Sequence, residues 1–454
     1  MTKTGRYLAQ LVLDRVERDD AYANLALREI LNENTESDQR EKAFCTELVY
    51  GTLRHLLTID FILGRLLSRP LASLKIPLKN ILRLAIYQLL YLTDIPERAV
   101  CHAAVEQVKH SRFAGLSGLV NGVLRNFLRN RNSIVFPDRT TQPVEYLTAY
   151  YSHPQWLAQR WLDRYGLERT ERMMTINNEK PPLTVRINQT RTTVAELREE
   201  LALNHVAYQP GLFLQEAINI LTVPGTIDDL PSFRAGKLFV QDESSMMVAH
   251  ILDPKPDETI VDLCAAPGGK STHLAELMHN KGQIYSIDDH PHKINLITAN
   301  YERLGLTNIT PQCADARNFH QLPGGGQADA VLVDAPCSGT GVLRRRVDLR
   351  YRREATATVE LVKVQREILN QAAKLVKLGG RLVYSTCTLE PEENQAQVEW
   401  FCQNHPEYKI SDWRGYLPTA ITDHLEDSSS HWATFLPISG GGDGFFICRL
   451  DKCK

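Results

Sequence analysis

Cysteine is scarce in this chain and poorly spaced for a structural role. Nine cysteines are scattered over 454 residues, with no Cys-x-x-Cys pair and no Cys/His cluster. That spacing excludes a disulfide framework and argues against a zinc or other metal site. The opening residues, Met1-Thr2-Lys3-Thr4-Gly5-Arg6, run straight into an amphipathic pattern and lack the apolar core of a signal peptide. No uncharged apolar run approaches the roughly 20 residues needed to span a bilayer. Internal repeats and low-complexity tracts are also missing. The expectations are a cytoplasmic, reducing compartment, no membrane, no metal and a monomer.

What is present is ordinary in bulk. Hydrophobic residues make up 43% and charged residues 23%, the composition of a soluble globular protein. The length predicts two or three domains. A net charge of −2 leaves nucleic acid open as a partner, because basic residues grouped on one face suffice for binding.

Hydrophobic periodicity divides the chain into three. Residues 1–138 read as helices: Leu119, Val120, Val123, Leu124, Phe127 and Leu128 recur at helical spacing, and Ile81 to Leu92 is apolar nearly all round. Residues 139–235 read as a small α/β unit. It holds a helical pair (154–165 and 168–174), a strand at Leu183 to Asn188 and a helix capped by Thr193. From 236 to 454 strands and helices alternate, which predicts a parallel sheet with ligands at the carboxyl ends of its strands. A hairpin around Gly440 to Gly444 closes the chain.

Two cysteines close buried-strand patterns. Cys337 stands in Asp334-Ala335-Pro336-Cys337-Ser338-Gly339 after Ala330 to Val333, and Cys387 in Tyr384-Ser385-Thr386-Cys387-Thr388 after Arg381 to Tyr384. Thiols at two strand ends suggest cysteine chemistry on a substrate. An earlier strand, Ile260 to Leu263, runs into Cys264-Ala265-Ala266-Pro267-Gly268-Gly269-Lys270. Gly-Lys-Ser here is not a phosphate loop, because Cys264 stands where that motif needs its first glycine. A nucleoside ligand without phosphates suits the turn better. Asp288, Asp315 and Asp334 close the next three strands, and an acidic side chain after the second strand suits ribose hydroxyls. Each alone also reads as a loop aspartate or helix cap; three in succession argue for a nucleoside pocket.

These residues resemble the cytosine-5 RNA methyltransferases of the Nol1/Nop2/Sun family. The likeness runs from about 140 to the end, with Phe239 to Ser245 similar to that family's lead-in helix and Asp443-Gly444-Phe445-Phe446 to its closing strand. The N-terminal helices are similar to the NusB antitermination fold at Leu48 to Arg54, Ile81 to Leu92 and Gly118 to Asn126. The implied architecture is a NusB-like all-α domain, a small α/β RNA-binding unit and a Rossmann-like class I methyltransferase domain. The implied cofactor is S-adenosylmethionine, held by Cys264 to Lys270 with Asp288, Asp315 and Asp334. The fusion implies a cytosine in 16S ribosomal RNA as target. By the same resemblance Cys387 is the nucleophile and Cys337 assists proton removal and release; cytosine-5 DNA methyltransferases attack from a Pro-Cys motif, so the reverse order stays open. Thr388 stands where serine is common, and Gly339 where alanine also occurs.

Arg344, Arg345, Arg346, Arg350, Arg352 and Arg353 crowd the stretch after Cys337. Their place predicts RNA phosphate contacts, with Tyr351 for stacking; a solvated helix face is the plainer reading. Arg125, Arg129 and Arg131 are weaker candidates. Lys270 faces either the base or the cofactor carboxylate. Two other functions remain in view: a transfer-RNA cytosine-5 methyltransferase, and an RNA-binding antitermination factor with an inert catalytic domain.

Overall fold

The computed structural model describes residues 4–322, 325–426 and 429–453; Met1 to Lys3 of the opening stretch lie outside them. The chain forms two compact units. One comprises Met1–Asn178 with Arg346–Glu354, the other Glu179–Arg345 with Ala355–Lys454.

The first unit is helical, as the periodicity predicts. Ile76–Tyr91 is its central helix, started by a proline in its first turn and buried at every position from Ile81 to Gln88. Leu8, Val12, Leu48, Leu82, Val120, Leu124 and Phe127 share its core. Burying each such side chain contributes roughly 1.5–3 kcal/mol. The expected helical pair is the run Gln155–Asn177, interrupted where Gly166 takes a positive φ of 72°. Together with Pro143–Tyr151 it packs in this unit, whose first segment runs to residue 178. Leu57 N donates to Ser152 Oγ at 2.9 Å, Thr58 Oγ1 donates to Tyr150 O at 3.2 Å, and Phe136 stacks on Phe61 at 5.1 Å.

The second unit carries two sheets. In the smaller, β1 (Leu183–Ile187), β2 (Ala207–Pro210), β3 (Ala217–Thr222) and β4 (Leu238–Val240) lie antiparallel in the order β2-β3-β1-β4. The predicted helix Val194–Leu203 starts with a reciprocal Thr193/Glu196 capping box.

The larger sheet comprises β5 (Thr259–Asp262), β6 (Gln283–Asp288), β7 (Ile309–Cys313), β8 (Ala328–Asp334), β9 (Val376–Thr386), β10 (Tyr408–Ser411), β11 (Ala433–Phe435) and β12 (Phe445–Lys452). Its order is β10-β12-β9-β8-β5-β6-β7, with β11 on β12. The strands from β7 to β9 are parallel, and β12 joins antiparallel, giving the predicted closing hairpin with β11. β5 is flanked by β6 on one side and β8 on the other. Strand order reverses there, and such a reversal opens a crevice at the carboxyl ends.

Candidate active site

Both cysteines stand on loops at those carboxyl ends. β8 and β9 are direct neighbours with Asp334 opposite Ser385, so residues 50 positions apart in sequence meet: Cys337 Sγ lies 3.3 Å from Cys387 Sγ. Neither is in a disulfide, and both are half-buried. The loops are joined by backbone and hydroxyl bonds. Gly341 N donates to Cys387 O at 3.0 Å, Leu389 N to Thr340 Oγ1 at 3.0 Å, and Thr388 Oγ1 lies 2.7 Å from Ser338 Oγ and 2.9 Å from Thr340 Oγ1. The threonine at 388 thus joins the two loops through its hydroxyl. Gly341 is irreplaceable for a steric reason: an added Cβ would sit 2.1 Å from Gly444 O. The Cys337 thiol is held well above its ordinary pKa, first by its contact with Cys387, then by burial and the charges of Glu393 and Asp334.

The glycine turn sits at the end of β5. Gly268 takes φ 99°, a left-handed value that glycine alone adopts without strain, and the helix Gly269–Leu277 starts after it. Asp288 Oδ2 accepts from Ala266 N at 3.0 Å, while its Oδ1 lies 2.9 Å from Lys293 Nζ. Lys270 Nζ is 2.7 Å from Asp334 Oδ2, whose other oxygen accepts from Ser385 Oγ at 2.8 Å; the Phe445 ring centroid lies 5.2 Å from the same ammonium. These contacts gather the turn, Asp288, Lys270 and Asp334 at one end of the sheet. Asp315 follows β7 by two residues and is held by Arg317, which lowers its pKa.

Several residues on this framework escaped the sequence reading. Asp262 ends β5 fully buried; its Oδ2 accepts from Ser271 Oγ at 2.6 Å and its Oδ1 has no hydrogen-bond partner. Burial, reinforced by Asp334 and opposed by Ser271, pushes its pKa up to about 7. A charged residue inside an otherwise apolar strand was the available signal. Arg186 on β1 is fully buried, pairs with Glu276 at 2.7 Å and donates to Gly269 O at 2.9 Å, bracing the turn from behind. Among the described residues one group of histidines and a carboxylate brings its donor atoms within 4.8 Å, Glu216 with His250 and His273. There the carboxylate serves as a hydrogen-bond acceptor, 2.5 Å from His250 Nε2, and burial drives His273 down to about 3.

Asp262 carries a pH signature. Its folded pKa lies above the unfolded value of about 3.9, so the native state binds the extra proton between the two. The stabilisation is complete below pH 4 and lost as pH rises to about 7. Melting curves from pH 4.5 to 7.5 are expected to fall more steeply for the wild type than for Asp262→Asn. Parallel curves would contradict the assignment.

The arginine cluster requires a correction. Arg344 is 1% exposed, with Nε 2.5 Å from Asp443 Oδ1 and Nη1 2.9 Å from Ile438 O. Arg345 bonds Asp242 at 2.6 Å and also Asp443. Within the first unit, Arg350 is 1% exposed and donates to backbone carbonyls, Arg352 donates to Asp20 O and Ala21 O, and the Tyr351 hydroxyl lies 3.0 Å from Ser152 Oγ. These side chains hold the fold together and are not free for phosphate or base. Of the six arginines Arg346 is the exposed one, with Arg353 partly so; Arg125 and Arg129 are also exposed, and Arg131 pairs with Glu97.

Comparison with known proteins follows this geometry. Residues 249–451 match the model of the 16S rRNA methyltransferase RsmB/F family, residues 3–129 the NusB family, and residues 153–227 the ferredoxin-like domain of RsmF/B-like methyltransferases. The chain is 41% identical, over its whole length and that of the relative, to the probable ribosomal RNA small subunit methyltransferase B of Bacillus subtilis. The chain belongs to the RsmB/F family of 16S rRNA methyltransferases. A Synechocystis protein with the same description is 37% identical over 99% of both chains. The crystal structure of PH0851 superposes over the full length of both chains with a TM-score of 0.80 at 27% identity. A methyltransferase homologue from Pyrococcus horikoshii covers 67% of this chain and 97% of its own at a TM-score of 0.56 and 27% identity. The RsmB/F architecture is therefore an N-terminal NusB domain, a small ferredoxin-like domain and a C-terminal Rossmann-like domain on a mixed sheet. The RsmB/F-matched segment contains both cysteine loops and the glycine turn.

Proposed function

We propose that the chain methylates carbon 5 of a cytosine in 16S ribosomal RNA with S-adenosylmethionine as donor, through a covalent adduct on Cys387. The observation that carries this reading is the pair of sulfurs 3.3 Å apart on adjacent strand ends, at the same end of the sheet as the glycine turn. Cys264 to Lys270, Asp288, Asp315 and Asp334 are the residues that would hold the cofactor. They fit a cationic nucleoside: Asp288, Asp315 and Asp334 are carboxylates, and the buried Asp262 Oδ1 is an acceptor without a donor. When bound, the cofactor supplies an electrophilic methyl group.

The residues of the chain do the rest. Carbon 5 of cytosine is a weak nucleophile until a thiolate adds to carbon 6. The target base must be turned out of its stack to reach the sulfurs. Only thiolate attacks, and a free thiol with a pKa of about 8.5 is a few per cent ionised at neutral pH. A proton shared by the pair and kept on Cys337 leaves Cys387 as the attacking sulfur. The contact with Cys387 is the largest cause of the raised Cys337 pKa. Once Cys387 bonds to carbon its charge is gone, and Cys337 ionises more readily, losing its proton to solvent. The Cys337 thiolate then takes the carbon 5 proton, and the electron pair of the broken C–S bond returns to Cys387. The Lys270 ammonium beside Asp334 is a cation placed to offset charge on the ring.

Bisulfite sequencing tests the reading. RNA from cells lacking the protein is expected to gain one protected cytosine in 16S RNA after incubation with protein and cofactor. Protection in transfer RNA instead, or nowhere, would replace this reading with one of the other two.

A further inference from the structure

A buried carboxylate outside the steps above faces the Cys337 loop. Glu393 closes the turn Pro391–Glu393, six positions after Cys387, and is 0% exposed. Its carboxylate accepts the Ser338 N–H at 2.9 and 3.1 Å, the Ser338 hydroxyl at 2.5 Å and the Gln365 amide at 3.4 Å. That amide also donates to Pro336 O at 3.0 Å. The residues on either side of Cys337 are thus gripped from one point. Tyr384 secures that point, its hydroxyl donating to Glu393 O at 2.6 Å. Burial pushes the Glu393 pKa up, and the Ser338 and Gln365 donors, all aimed at the carboxylate, favour its ionised form.

We propose that Glu393 is a positioning residue for the cysteine pair: anchored on the Cys387 loop, it holds the Cys337 loop in sulfur contact and, through its buried charge, keeps the shared proton on Cys337. The inference rests on the two-cysteine reading above. Two observations support the electrostatic half. The charges of Glu393 and Asp334 both oppose ionisation of Cys337. Glu393 also bonds directly to the residue after Cys337, so its field is anchored to that loop. A brace made only for shape would need donors and acceptors here, but no charge.

The test uses the full chain, unmodified 16S RNA transcript and S-adenosylmethionine in single-turnover methylation across pH. Glu393→Gln keeps the shape and removes the charge. Its rate at neutral pH is expected to fall on the order of 10- to 100-fold, and its pH optimum to move down by on the order of one unit. The downward sign follows because Cys337 then loses its proton more easily. Glu393→Asp keeps the charge but shortens the reach, and is expected to slow the reaction without moving the optimum. A Glu393→Gln optimum that stays in place overturns the proposal, leaving a simple brace. If that variant does not fold, Glu393→Asp decides: a wild-type rate there overturns the positioning role. Failure of the wild type to methylate the transcript would instead remove the two-cysteine reading itself.

Discussion

Cys337→Ala is expected to accumulate a covalent complex with 16S RNA, and Cys387→Ala to form none. Incubating each variant with labelled RNA and S-adenosylmethionine, then separating under denaturing conditions, reads the result directly. The asymmetry follows from the steps assigned to each sulfur. Without Cys387 no carbon 6 adduct forms, and turnover should drop by at least on the order of 10⁴-fold, as for loss of other covalent nucleophiles. Without Cys337 the adduct still forms and carbon 5 still accepts the methyl group. Its proton then lacks a base, so the C–S bond persists. The opposite pattern, with Cys387→Ala trapping RNA, would assign attack to the Pro336-Cys337 loop. The 3.3 Å contact alone is symmetric; the asymmetry comes from the surroundings, since Glu393 grips Ser338 beside Cys337 and Asp334 lies three positions before it.

The parts of this site legible in sequence are those governed by local rules. Apolar runs marked β5, β6, β8 and β9, and a parallel α/β sheet places the ends of such strands along one edge. That logic alone places Cys264 to Lys270, Asp288, Asp334, Cys337 and Cys387 along one edge. What stayed hidden depends on partners distant in sequence. Glu393 sits in Glu390-Pro391-Glu392-Glu393, an acidic turn that reads as solvated; its burial is set by Ser338 and Gln365, 55 and 28 positions away. Arg186 gave no signal either, because Glu276 is 90 positions downstream. The arginine cluster misled for the same reason: a dense basic run looks like an RNA surface until its acceptors are known.

Arg350→Met is expected to destabilise the first unit while leaving RNA affinity per folded molecule unchanged. The guanidinium Nη1 donates to Arg54 O at 2.9 Å, Ser152 O at 3.0 Å and Asn178 Oδ1 at 2.8 Å, and Nη2 donates to Asn177 O at 3.1 Å. Arg54 ends the helix Gln39–Arg54, Asn177 ends Gln155–Asn177, and Ser152 caps Pro143–Tyr151. One buried cation therefore gathers the orphaned carbonyls of three helix C-termini, where the helix dipoles are negative. Methionine fills similar space and donates nothing. Leaving buried acceptors unpaired costs about 1–3 kcal/mol each, so a total loss of about 3 kcal/mol or more is expected. For a unit of this size that corresponds to a melting temperature lower by roughly 6–12 °C. A phosphate-contacting arginine would behave in the reverse way, with unchanged melting and weaker, less salt-dependent binding. Arg346→Met serves as the exposed control and is expected to leave the melting temperature where it was, because that side chain lies on the surface.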